Sequence, residues 1–385
     1  MKSSIFKRFF AVGLAIVLAL SSIAAAPAAV SVKKTPPPAI PMVIDADTGV
    51  DDAAAIAYLL TRSDLVNILG ITAVAGNTTV DNAANNALIL LDTAQRTDIP
   101  VVVGASHPLV LAPSQQGLFV HGPDGFWFTS YGFAPHNLSA LSHDAAGFLC
   151  SKAAAGVTLL ALGPVTNIAH AVQTCPAQMK LYKIVWMGGS KAVDGEGNTP
   201  VSVFNPWYDP DAADIVLHAG LTVTMVTSDA ARTATIDPTI FDKIAAKGNA
   251  LGKLIAPSLK QYASLFAKPT GRHGKLRVAM YDPATAVLAA HPDWITSQTG
   301  LVMIQTADGV ARGQTIFGFS LGEHVSMLAS DAELSAIAVQ AYSDPNFDLY
   351  GALGPILFRQ PDNAQVVLTL DSNQVMKEWL TGVTK

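Results

Sequence analysis

Short apolar runs alternating with longer Ala-rich stretches set the rhythm of this chain. Met42 to Ile44, Ile68 to Ala75, Ile99 to Val103, Val157 to Leu162, Ile184 to Met187 and Leu221 to Val226 each read as a buried strand. Stretches between them, such as Ala53 to Leu60, read as helices. Strands and helices taken in turn predict βαβ units, and hence a parallel sheet covered on both faces. The expected fold class is therefore α/β, a single large Rossmann-like domain with a mostly parallel central sheet flanked by helices. No linker or internal repeat divides it. From Trp294 onwards the pattern predicts further strands and turns (Leu301 to Thr306, Gln314 to Gly318, Val366 to Leu370) that complete the same domain.

The N-terminus follows a different pattern. Lys2, Lys7 and Arg8 precede an apolar stretch from Phe9 to Leu20, and small residues run from Ser21 to Ala29. Residues 1–28 read as a secretory signal peptide, too short for a comfortable membrane span, with Ala26-Pro27-Ala28 offering a cleavage site. Residues 29–40 form a Pro-rich leader, and residues 41–385 the single large domain. A secreted or periplasmic protein is expected, with no membrane attachment once the leader is gone. Half of the residues are hydrophobic and 14% are charged, ample for a large core. The net charge of −5 supplies no basic patch, so nucleic acid is not an expected partner. The two cysteines, Cys150 and Cys175, close the helices on either side of the Val157 strand. Both helix ends reach the same end of the sheet, so a disulfide and two buried thiols both fit. Paired ligands at zinc spacing are lacking.

The chemistry gathers in Asp45-Ala46-Asp47-Thr48-Gly49-Val50-Asp51-Asp52, where four aspartates fall within eight residues. An apolar strand leads in and a helix starting near Asp51 leads out, which places the acids at the carboxyl end of a strand, where open α/β sheets bind ligands. The helix dipole offsets one or two acids by up to about 1 kcal/mol each. Four together repel by more, so either some are protonated or a hard divalent cation holds them. An EF-hand is excluded, because the twelfth position from Asp45 is Ile56 instead of a bidentate Glu. Asp45-Ala46-Asp47-Thr48 also looks like the opening motif of haloacid-dehalogenase-type phosphatases, with Asp45 as nucleophile; Asp51 and Asp52 following at once favour a different family.

Asp-x-Asp-x-Gly-x-Asp-Asp-Ala resembles the signature of the inosine–uridine-preferring nucleoside hydrolases. Ala75-Gly76-Asn77, His121-Gly122-Pro123-Asp124-Gly125 and Leu162-Gly163-Pro164-Val165-Thr166-Asn167 resemble further motifs of that family, in the same order. So do Met187-Gly188-Gly189, Phe204-Asn205 with Asp209-Pro210-Asp211-Ala212-Ala213, and Tyr281-Asp282-Pro283. The similarity spans roughly residues 41 to 290. It implies hydrolysis of the N-glycosidic bond of a ribonucleoside, with the nucleoside as the small-molecule partner, and a homo-oligomer is expected.

The same resemblance assigns roles. Asp47 would be metal ligand and general base; Asp52, Asp282 and the Leu162 carbonyl would complete the metal set, and Asp45 would orient the others. Ca²⁺ suits such an all-oxygen set, and lowers the pKa of water enough for a carboxylate to take its proton. Asp51, Asn77 and Asn205 would hold ribose hydroxyls. Two departures bear on substrate. Val203 stands where the family usually has Glu against the ribose 5′ side, with Phe204 following and Asn198 a candidate replacement. Tyr281 stands where many members have His, which resembles the purine-specific members. Trp127 and Phe126 are candidates for an opposing ring face, His121 for a residue facing the base, and His273 for a lid. A periplasmic nucleoside- or sugar-binding protein that has lost turnover is the third reading besides hydrolase and phosphatase.

Overall fold

The run Met42–Ala46 has no solvent exposure at any position, as expected for a strand covered on both faces of a parallel sheet. It lies in β1 (Ile40–Ala46) of a computed structural model that describes residues 38–111, 117–191, 199–271 and 274–385. Residues 1–37, which hold the expected signal peptide and most of the Pro-rich leader, lie outside the described residues, as do Asn198 and His273. Ala39–Lys385 pack as one unit.

The remaining strands are β2 (Val66–Ala73), β3 (Val101–Val103), β4 (Thr158–Ala161), β5 (Lys183–Met187), β6 (Thr222–Val226), β7 (Thr235–Ile236), β8 (Lys268–Thr270), β9 (Lys275–Ala279), β10 (Gln298–Ile304), β11 (Thr315–Gly318) and β12 (Ala364–Val367). Nine of them form one sheet in the order β11-β10-β12-β6-β5-β4-β1-β2-β3. The seven from β12 to β3 are parallel, whereas β10 and β11 pair antiparallel at one edge. β1 sits between β2 and β4, with Asp45 in register with Thr72 and Ala161. Successive side chains of β1 enter different cores: Met42 and Ile44 pack into one apolar cluster, and Val43 into the other.

The helix Val50–Thr61 is buried from Val50 to Leu60. Its alanines let it pack closely against Tyr281–Ala290 and Ala250–Phe266, and Trp379 of the last helix donates its indole N–H to the Ala54 carbonyl at 3.0 Å. Cys150 and Cys175 are disulfide-bonded, with Cα atoms 6.0 Å apart. This joins the ends of the helices Ala145–Lys152 and Thr166–Thr174 that flank β4.

Two expectations need correction. The region after Trp294 supplies β10, β11 and β12 to the main sheet, but it is largely helical. Leu321–Leu328, Asp331–Ser343 and Leu349–Leu357 stand between β11 and β12, and Ser372–Thr384 follows. Their Ala-, Gly- and Ser-rich composition weakened the period-3.6 signal. A second, antiparallel sheet of β7, β9 and β8 also escaped prediction, because its strands are only two to five residues long.

Candidate active site

β1 ends at Ala46 and the next helix begins at Val50, so Asp47, Thr48 and Gly49 form the turn between them. Asp52 folds back to accept the Gly49 N–H at 3.0 Å, closing a capping box. Asp282 occupies the first turn of the Tyr281–Ala290 helix, so two helix N-termini bring their acids together. Carboxylate oxygens of Asp51, Asp52 and Asp282 lie within 4.8 Å of one another. Asp47 and Asp52 share the Asn77 amide, and the charges of Asp47 and Asp52 act on each other and on Asp282.

The packing around Asp47 accounts for two of the motifs. A Cβ at Gly76 or at Gly163 would fall on the Asp47 carboxylate, so both positions require glycine. Asn77 then donates its backbone N–H to Asp47 Oδ2 at 2.6 Å and its amide to Asp52 Oδ2 at 2.7 Å. The amide of Asn205 donates to the carbonyls of Leu162 at 2.6 Å and Met187 at 2.9 Å, which fixes the Leu162 carbonyl in place. Asp45 lies behind the loop. Its Oδ1 accepts from Thr72 and from the Asn167 amide at 2.8 Å, and burial raises its pKa to about 6.

Burial raises the pKa of Asp47 well above the ordinary carboxylate range, and the neighbouring Asp52 charge adds to it. Asp282 is raised likewise, first by burial and then by Asp51, Asp52 and Asp47. Burial also raises Asp52. Left to itself this group would hold protons; a divalent cation would let the carboxylates ionise together. The donor set fits one. Asp52 Oδ1 is buried with no hydrogen-bond partner among the described residues, and the available donors are all oxygens, as a hard cation prefers.

Asp51, Asp282, Asn77, Asn205 and Leu162 open onto a cavity of about 590 Å³. Asp47 and Asp52 have no exposure and lie one layer deeper. His121 lines the same cavity, accepts the Val50 N–H on Nδ1 at 3.1 Å and sits 3.8 Å from Asp51 Oδ1. Burial lowers its pKa to about 3, so the ring is neutral. Phe204 and Tyr281 line the cavity as well.

Two expectations are not met by the wall. Val203, read as lacking the family's 5′ acceptor, is fully buried and does not line the cavity. Phe126 is fully buried in the core, and Trp127 donates its indole N–H to the Val120 carbonyl at 2.7 Å without lining the cavity. The aromatic faces come from Tyr262 and Phe266 instead, whose rings lie 5.1 Å apart. They stand at i and i+4 on one face of the amphipathic helix Ala250–Phe266, a spacing that reads as ordinary core.

A family model described as inosine-uridine preferring nucleoside hydrolase matches residues 42–377. The chain belongs to that family. It is a nucleoside hydrolase that cleaves ribonucleosides, and the phosphatase reading of Asp45 falls away. Among its relatives, uridine nucleosidase 1 of Arabidopsis thaliana is 34% identical over 71% of this chain and 81% of that protein. The non-specific ribonucleoside hydrolase RihC of Salmonella newport is 32% identical over 89% of this chain and 96% of its own length. Among solved structures, the plant nucleoside hydrolase PpNRh1 superposes with a TM-score of 0.71 at 27% identity, over 90% of this chain and 99% of that one.

Proposed function

We propose that this hydrolase is Ca²⁺-dependent and prefers purine ribonucleosides, releasing the free base and ribose. The observation that carries the metal is the buried group Asp51, Asp52 and Asp282 under the cavity, with Asp47 against Asp52. Asp47, Asp52, Asp282 and the Leu162 carbonyl would hold the ion. When bound, Ca²⁺ would lower the pKa of water and orient the ribose hydroxyls.

The remaining chemistry belongs to the chain. Asp47 takes the proton from the attacking water, held in position by the Asn77 N–H. Asp51, Asn77 and Asn205 orient the ribose, and Asp45 steadies the loop through Thr72 and Asn167. His121, neutral and fixed by the Val50 N–H, faces the ligand without acting as an imidazolium. The base stacks against Tyr281, with Tyr262 and Phe266 nearby, an arrangement that favours the larger purine ring.

A pyrimidine preference is the second reading, favoured by the uridine nucleosidases and the pyrimidine-specific RihA of Shewanella oneidensis, 34% identical over 72% of this chain. Reducing-sugar release from inosine, guanosine, adenosine, uridine and cytidine, with and without chelator, tests both parts. Secretion or a periplasmic location is proposed on the N-terminal pattern and the Cys150–Cys175 bond; fractionation with N-terminal sequencing of the mature chain checks it. A homo-oligomer is proposed as well, to be measured by light scattering.

A further inference from the structure

Between β11 and β12 the chain leaves the main sheet for the helices Leu321–Leu328, Asp331–Ser343 and Leu349–Leu357. Ile356 is the one buried residue among the three. Large apolar side chains stand in solvent instead: Val339 is 68% exposed, Tyr342 97%, Tyr350 76% and Phe358 89%. A surface helix normally turns its apolar stripe to the core and its polar groups outward. Asp331–Ser343 does not divide in this way. Leu334 and Ile337 are half-buried, while the opposite face, Ala332, Ser335, Ala336, Val339 and Tyr342, is exposed at every position and carries no charge. Acids of the segment are held at helix starts. Glu323 accepts the Ser320 N–H, Glu333 the Ser330 N–H and Asp348 the Gly351 N–H, each at 2.9 Å.

We propose that this face is the interface between two copies of the chain, with their Asp331–Ser343 helices antiparallel about a two-fold axis. The inference rests on the homo-oligomer reading and deepens it by naming the surface. Shape is the first reason for a second copy. The face is small in its first half, at Ala332, Ser335 and Ala336, and large in its second, at Val339 and Tyr342. Antiparallel pairing sets the small half of one helix against the large half of the other, and the two-fold axis repeats the fit. Area is the second reason. The rings of Tyr342, Tyr350 and Phe358 alone expose on the order of 500 Å², more than half of the roughly 800 Å² that each partner buries in a stable interface. A lipid surface fits less well. Residues 321–361 carry Glu323, Asp331, Glu333, Asp344 and Asp348 against Arg359, whereas anionic bilayers recruit basic segments.

Sedimentation of the purified chain over a micromolar dilution series, beside Val339→Glu and Tyr342→Lys, gives the test. Both substitutions fall at exposed positions. Each should halve the assembly by raising its Kd at least about thirtyfold, the loss of an interface anchor. kcat for inosine should stay within about twofold of the parent, because no described residue beyond Asp282 lines the cavity. Ala336→Cys supplies a second readout, since it lies near the middle of the helix and hence near the axis. Cys150 and Cys175 are bonded to each other, so the added thiol should oxidise to a disulfide-linked dimer that reductant reverses. An assembly that survives both substitutions and gives no such cross-link overturns this interface and leaves the homo-oligomer reading standing. A parent chain that is monomeric throughout overturns both. If that monomer floats with phosphatidylcholine vesicles and Tyr342→Lys does not, the face belongs to a bilayer instead.

Discussion

The backbone N–H of Asn77 donates to Asp47 Oδ2 at 2.6 Å, and the Asn77 amide reaches Asp47 Oδ1 at 3.3 Å and Asp52 Oδ2 at 2.7 Å. One residue thus orients two carboxylates that would otherwise repel. Asn77→Ala leaves the backbone bond intact and removes both amide bonds. Each hydrogen bond to a charged group is worth about 1.5–3 kcal/mol, so with both lost kcat/KM for inosine should fall about 10²- to 10⁴-fold if transition-state binding bears the loss. A variant within twofold of the parent would show that the amide does not support the site.

Asp47 and Asp45 lie two residues apart and should behave differently. Asp47→Asn removes the proton acceptor, and turnover should drop by at least about 10²–10⁴-fold. Asp45→Asn keeps a carbonyl oxygen for the donors Thr72 and Asn167, removes the charge and acts on loop geometry, a cost of about 10–100-fold. Steady-state kinetics on the two variants, with folding checked by circular dichroism, gives the order. The reverse order would remove Asp47 from the role of base.

Metal dependence follows from the buried acids. About one Ca²⁺ per chain is expected at saturation, and a chelator should abolish activity. Because the acids are raised by burial and mutual repulsion in the ion-free protein, the ion should also raise the melting temperature. At a hundred times the dissociation constant the gain is about 2.7 kcal/mol. Elemental analysis and thermal melts with added Ca²⁺ provide the check, and activity that survives complete metal removal would refute the assignment.

Much of this site was legible because its residues sit in short local motifs. The acid loop, Gly76-Asn77, Gly163 and Asp282 each carry a signal within a few positions, and parallel strands deliver them to one end of the sheet. Residues that form the rest of the wall lack such a signal. Tyr262 and Phe266 look like ordinary core positions until the helix Ala250–Phe266 is seen to turn that face to the cavity. Lys268 and Arg277 become neighbours only through β8 and β9, each too short to show a strand pattern. Val203 stands where the resemblance places a sugar contact, and the backbone at the start of the Phe204–Tyr208 helix turns its side chain into the interior.

The Cys150–Cys175 bond closes a loop across 25 positions that includes β4 and the whole of the helix Thr166–Thr174. Chain-entropy arguments give such a loop about 3 kcal/mol of stabilisation. Both cysteines terminate helices at the amino end of the strands, away from the acid loop. The double variant Cys150→Ser, Cys175→Ser should therefore melt lower with kcat for inosine nearly unchanged. Equal melting temperatures for the parent and the variant would show that the bond contributes nothing under those conditions.

The proposed purine preference is tested at Tyr281, which lines the cavity one position before Asp282. Its ring can stack on a base, and stacking together with Tyr262 and Phe266 rewards the larger aromatic surface of a purine. A purine also accepts a proton at N7 from solvent, whereas uracil leaves poorly without a placed acid. His121 does not supply that acid, since burial keeps its ring neutral and its Nδ1 is occupied by the Val50 N–H. kcat/KM for inosine or guanosine should therefore exceed that for uridine. Tyr281→Phe keeps the ring and should retain most activity. Tyr281→Ala loses a stacking contact worth about 0.5–1.5 kcal/mol, a fall of roughly two- to tenfold, larger for purines than for uridine. If Tyr281→Phe instead falls as far as Tyr281→Ala, the hydroxyl carries the function and the ring only holds it in place.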